Sequence, residues 1–102
     1  MPTALVAVPL SESEPLARAL VEKRLAASVN SVNCTSTYRW DGEVQFADEA
    51  ILMVKTTADR YDDVVELVER RHPYEVVPIE RFDESDAVTD FVEWRRESVT
   101  EK

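Results

Sequence analysis

The chain has 102 residues, 44% of them hydrophobic, and a formal net charge of -9 from 21 acidic against 12 basic side chains. That length fits one domain with one core, and that charge repels nucleic-acid phosphates and anionic membranes. A single glycine, Gly42, excludes Gly-rich phosphate loops and dinucleotide fingerprints. A single cysteine, Cys34, excludes an internal disulfide framework, and no apolar run approaches the roughly 18 residues of a membrane span.

Thr3 to Val8 is a short apolar run rich in β-formers and reads as a buried strand. Ser11 and Glu14 have the spacing of a capping box, and Pro15 is placed in the first turn of the helix they would open. Leu16 with Leu20, and Ala17 with Val21 and Leu25, carry that amphipathic helix to about Ala27. From Val32 to Trp40 the pattern alternates, setting Val32, Cys34, Ser36, Tyr38 and Trp40 on one face of a strand. Asp41-Gly42 predicts a type I′ hairpin turn, where positive φ is required. The returning strand starts at Glu43, is broken at Ala47-Asp48-Glu49 by an expected bulge, and resumes as the apolar run Ala50 to Thr56.

A second helix is expected from Asp59, with Tyr61, Val64, Val65 and Val68 on its apolar stripe. Arg70 and Arg71 suit the negative end of its dipole, and Pro73 stops it. Val76 to Phe82 predicts a last strand, which Pro78 confines to an edge or makes irregular. Ala87, Val88, Phe91 and Trp94 outline a final helix. The order β-α-β-β-α-β-α is an α+β, ferredoxin-like split β-α-β-β-α-β antiparallel sheet with an added C-terminal helix, in one domain over residues 1–102. Its helices cover one face only. Tyr38, Trp40 and Phe46 are candidates for the uncovered face, so sheet-mediated self-association is expected.

The N-terminal MPTALVAVPL lacks a basic start and a signal-length apolar region, so a cytoplasmic location is expected. Only Lys23, Lys55 and Lys102 are lysines, and the acidic excess reads as adaptation to a halophilic, high-salt cytoplasm that screens self-repulsion.

The segments STYRWDGEV, ILMVKTT, HPYEVVPI and FVEWRRES, in this order and spacing, resemble the CutA family of divalent-cation tolerance proteins. The resemblance implies a ferredoxin-like fold assembled as a homotrimer, a link to tolerance of copper and other divalent metals, and no established enzymatic reaction. It also implies a likeness to PII signalling proteins. The family's recurrent polar cluster falls on Tyr38, Trp40, Lys55, His72, Tyr74 and Glu75, which would line a cleft near a subunit interface. Many relatives carry a cysteine where this chain reads Ser28-Val29-Asn30, which leaves Cys34 as the only thiol.

Each candidate has a functional and a structural reading. His72 could ligate a borderline metal or exchange a proton, or it could cap the second helix. One histidine and one cysteine do not fill a tetrahedral site, so His72 and Cys34 would act as metal ligands by pooling across subunits. Cys34 could equally be packing. Glu75 could accept from Lys55 or Arg39. Lys55 in an apolar strand must reach the rim or meet a carboxylate. Tyr38 and Trp40 could stack on a flat ligand or serve as interface aromatics. Trp94 with Phe91 is core or subunit contact, and the acidic runs Glu12–Glu14 and Asp83–Asp86 read as solvated surface. No nucleophile, base and orienter are arranged for catalysis. The ligands to weigh are therefore Cu2+ or another divalent cation, none obligatory, or a small anion in the intersubunit cleft.

Overall fold

The computed structural model describes residues 1–100. Strand β1 (Pro2–Pro9) runs straight into helix α1 (Leu10–Glu22). Strands β2 (Ser28–Trp40) and β3 (Glu43–Lys55) form a long hairpin, followed by α2 (Tyr61–Arg71), β4 (Ile79–Asp83) and α3 (Thr89–Ser98). The sheet order is β2-β3-β1-β4, every pairing antiparallel. This is the expected split β-α-β-β-α-β arrangement with its extra helix.

Alternation sorts the sheet into two faces. Ala4, Val6 and Val8 of β1 and Ala50, Leu52 and Val54 of β3 point to the helices and are fully buried. Leu16 and Leu20 of α1 and Val64, Leu67 and Val68 of α2 close the core over them. The opposite face has no helix. It presents Leu5, Ile51 and Met53 half-buried and Val32 and Phe82 exposed. Phe46 pairs with Thr37 in the phase of the core residues, so it lies on the helix side of the sheet, not beside Tyr38 and Trp40. It is 73% exposed because the hairpin outruns the helices.

The turn chemistry is as expected. Asp41 and Gly42 have φ of 51 and 77, the two positive values of a type I′ turn. The second positive-φ site is Arg24 (φ 58), which ends α1 earlier than the Leu25 periodicity suggests. Arg24 and Leu25 turn their N–H groups back onto Val21 and Leu20, and the guanidinium of Arg24 donates to the Ser98 carbonyl. The capping box does not form. Pro9 is the N-cap, so the helix starts before Ser11, Glu14 pairs with Arg18 at 2.8 Å, and Pro15 sits in the second turn rather than the first.

No bulge interrupts β3. Its register with β2 is continuous from Trp40↔Glu43 to Ser28↔Lys55, which keeps Glu49 in phase with Ile51 and Met53 on the open face. Helix α2 starts at Tyr61, after a turn in which Thr57 donates to Asp59, and that bond holds the Asp59 carboxyl below its usual range. β4 is an edge strand, and Pro78 lies just before it. Helix α3 begins at Thr89, leaving Ala87 and Val88 outside. It is tied down by Arg95, only 2% exposed, which donates to the Thr56 carbonyl and to Glu84 and lies 5.0 Å over the Phe91 ring. Phe91 and Trp94 stack at 5.9 Å, with Trp94 still 46% exposed.

Candidate functional site

The site grows from a backbone problem at the sheet edge. β4 pairs with β1 only as far as Val6↔Ile79. Beyond that point the Ala7 N–H and C=O have no strand partner, and buried backbone groups need one. The 72–78 segment supplies both. The Ala7 N–H donates to the Pro78 carbonyl at 3.2 Å, and His72 Nε2 lies 2.7 Å from the Ala7 carbonyl. His72 Nδ1 accepts the Tyr74 N–H at 3.2 Å, so Nε2 carries the hydrogen and donates to Ala7. The imidazole is thus buried with both nitrogens engaged. It stitches the end of α2 to β1. The helix end itself is closed by the His72 backbone N–H to Val68, not by the ring.

This stitch aims Tyr74. Its ring packs edge-on against His72 at 4.6 Å, and its hydroxyl donates to Glu49 Oε2 at 2.6 Å. Glu49 is only 4% exposed and makes no ion pair among the described residues. Burial pushes the Tyr74 hydroxyl up to about 12, helped by the bond to Glu49, by that carboxylate's charge and by Tyr38.

Around this pair lies a cleft of about 690 Å³, lined by Tyr38, Trp40, Tyr74, Glu49, Glu75 and Arg39. Val76, Pro78, Ala7 and Ser36 complete its walls. Four of the six expected cleft residues therefore meet: Tyr38, Trp40, Tyr74 and Glu75. His72 stands behind the wall, as a support for Tyr74. Lys55 is elsewhere. It pairs with Thr3 and Ser28, six residues along β3 from Glu49, or about 20 Å at strand rise. Glu75 makes no ion pair with Lys55 or Arg39, and Arg39 instead donates to the Gly42 carbonyl at 3.2 Å.

Within one chain, two carboxylates and one such guanidinium make a poor anion pocket. Glu49 was missed because the expected bulge took it out of phase. A carboxylate continuing the alternation of an apolar strand is the signal that would have found it.

The metal-ligand candidates do not converge in one chain. Cys34 lies across from Glu49 in the β2–β3 register, half-buried, with Sγ 3.8 Å from the Ser36 hydroxyl. His72 could ligate only by giving up a hydrogen bond to Ala7 or to Tyr74. Among the described residues, no three His, Cys, Asp or Glu side chains are grouped to hold a metal ion.

An antiparallel ferredoxin-like sheet with one bare face and an aromatic cleft defines a small α+β protein of the ferredoxin-like class. The family model described as "CutA1 divalent ion tolerance protein" matches residues 3–98, and the chain belongs to that family. The divalent-cation tolerance protein CutA of Thermus thermophilus is 42% identical over 96 residues, spanning 92% of this chain and 93% of that protein. Its counterpart in Archaeoglobus fulgidus is 33% identical over 100 residues, covering 93% of each. Among solved structures, the Thermus thermophilus divalent cation tolerance protein superposes with a TM-score of 0.89 at 40% identity, covering 96% of this chain and 98% of that one. A PII-like protein CutA from Nostoc superposes with a TM-score of 0.94 at 26% identity over 98% of both chains. No helix among the described residues is long and apolar enough to cross a membrane.

Proposed function

We propose that this chain works as a divalent-cation tolerance protein: a cytoplasmic homotrimer that responds to copper or another divalent ion and carries out no catalysis of its own. Family membership over residues 3–98 carries this reading. The bare sheet face supports the assembly, because Leu5, Val32, Ile51, Met53 and Phe82 make an apolar surface that no helix covers. Among the described residues no three metal-ligating side chains group together, so a bound ion would take donors from several subunits, with Cys34 and His72 as the soft and borderline donors to test.

Two measurements test this. The mass in solution should be three times the 11.6 kDa of one chain. Cells lacking their own family member and challenged with copper or another divalent ion should regain growth when given this chain. A monomer in solution, or no gain in growth with any divalent ion, would overturn it.

A second reading is a PII-like sensor that takes a small effector in the cleft, and the cleft itself favours it. Thermal shift across a metabolite panel tests it, since a ligand raises the midpoint by mass action.

A further inference from the structure

We infer that the cleft of Tyr38, Trp40 and Tyr74 binds a small organic cation, an alkylated or quaternary ammonium, with Glu49 and Glu75 as its counter-charges. This rests on the effector-binding reading above and names the effector's chemistry.

Three observations converge. First, three aromatic side chains line the cleft. Tyr38 and Trp40 stand two residues apart on one face of β2, about 7 Å from each other at strand rise, and Tyr74 comes from the 72–78 loop. Their faces carry the negative potential of the ring quadrupole, and an alkylated ammonium is the cation such boxes hold well. In the single chain Tyr38 and Trp40 are 41% and 43% exposed.

Second, Glu49 is a buried carboxylate with one neutral donor, the Tyr74 hydroxyl, and no cationic side chain among the described residues of the single chain pairs with it. A buried charge needs a partner. The one guanidinium on the lining, Arg39, donates to the hairpin turn.

Third, the donor set suits an organic ion better than a bare metal. A hard divalent ion needs six or so oxygen ligands at close range, and a softer one wants thiolate or imidazole. The cleft has two carboxylates, phenols and apolar walls, and among the described residues no cluster of metal-ligating side chains lies there. An alkylated ammonium asks for few hydrogen bonds, and its methyl groups suit the Val76 and Pro78 surface.

The test uses the assembled protein carrying Trp94→Phe, which leaves Trp40 as its only tryptophan. Tetramethylammonium chloride is titrated against sodium chloride at matched ionic strength while Trp40 fluorescence is read. The expected result is a saturable change with tetramethylammonium alone. The affinity should fall about tenfold when Glu49→Gln removes the counter-charge, or Tyr38→Leu removes one ring, in the same background. Tyr38 is exposed, so its variant keeps the test open if Glu49→Gln fails to fold.

Equal responses to the two salts would overturn the inference, as would an affinity unchanged in both variants. A calorimetric copper titration of the same sample separates this from the parent reading. Copper binding without tetramethylammonium binding removes the organic-cation site and leaves the metal reading standing. The reverse result removes the metal reading and keeps the organic-cation site.

Discussion

The Tyr74–Glu49 pair makes stability fall at alkaline pH, and the effect can be sized. A tyrosine in the unfolded chain titrates near ~10, whereas the folded Tyr74 hydroxyl is pushed up to about 12. The folded state therefore holds this proton more tightly. Its contribution is fully present below about pH 10 and is lost as the pH rises toward 12, so stability declines across that window. Two units correspond to about 2–3 kcal/mol, reduced to roughly 1–2 kcal/mol because Tyr74 is only half-buried and water screens part of the interaction.

The assay is denaturant unfolding at a series of alkaline pH values for the parent and Tyr74→Phe, beside a spectrophotometric phenol titration. The parent's stability should fall more steeply than the variant's above about pH 10. The phenol titration should show a late-ionising tyrosine that is missing in Tyr74→Phe. Glu49→Gln should move that late tyrosine back toward the ordinary range, because the carboxylate's hydrogen bond and charge both raise it. If all the tyrosines of the folded parent titrate together near the ordinary value, the buried pair does not exist as described.

Other outcomes follow from the same geometry. His72→Ala removes the donor to Ala7 and the acceptor for the Tyr74 N–H, which should cost about 2–4 kcal/mol in denaturant midpoints and loosen Tyr74. Arg95→Ala removes a buried guanidinium, its bond to the Thr56 carbonyl and its packing on Phe91, and should cost about 1–3 kcal/mol, whereas Arg95→Met should be milder because it keeps the packing on Phe91. Leu52→Ala empties the centre of the core and should cost about 2–5 kcal/mol by calorimetry. If the net charge of -9 is an adaptation to salt, the melting point should rise between dilute buffer and molar KCl. An unchanged midpoint would end that reading.

Much of the fold is legible in the sequence because local signals and burial agree there. The apolar runs of β1 and β3, the Asp41-Gly42 turn and the stripe of α2 each have one physical solution. The misses lie where neighbouring elements override a local motif. Ser11 to Glu14 reads as a cap only if the helix starts there, and β1 runs into the helix before it can. Ala47-Asp48-Glu49 reads as a bulge only if a buried carboxylate is unacceptable. Tyr74, arriving from the 72–78 loop, makes it acceptable. The same long-range contact explains the site. Tyr38, Trp40, Tyr74 and Glu75 could be grouped from the family resemblance. The displacement of Lys55 and the structural duty of His72 needed the strand register and the loop path. Local spacing carries neither.

If this chain handles divalent ions as an assembly, as proposed above, binding must depend on contacts between copies, because no three metal-ligating side chains group among the described residues of one chain. The direct test is a calorimetric titration with Cu2+ and then Zn2+, in molar KCl, of the parent and of Ile51→Glu, which puts a charge on the bare sheet face. Saturable binding is expected of the parent, at one or three ions per trimer as three-fold symmetry requires, with its loss in an Ile51→Glu protein that sediments as a monomer. Equal binding by that monomer, or weak non-saturating heat from both proteins, would contradict it.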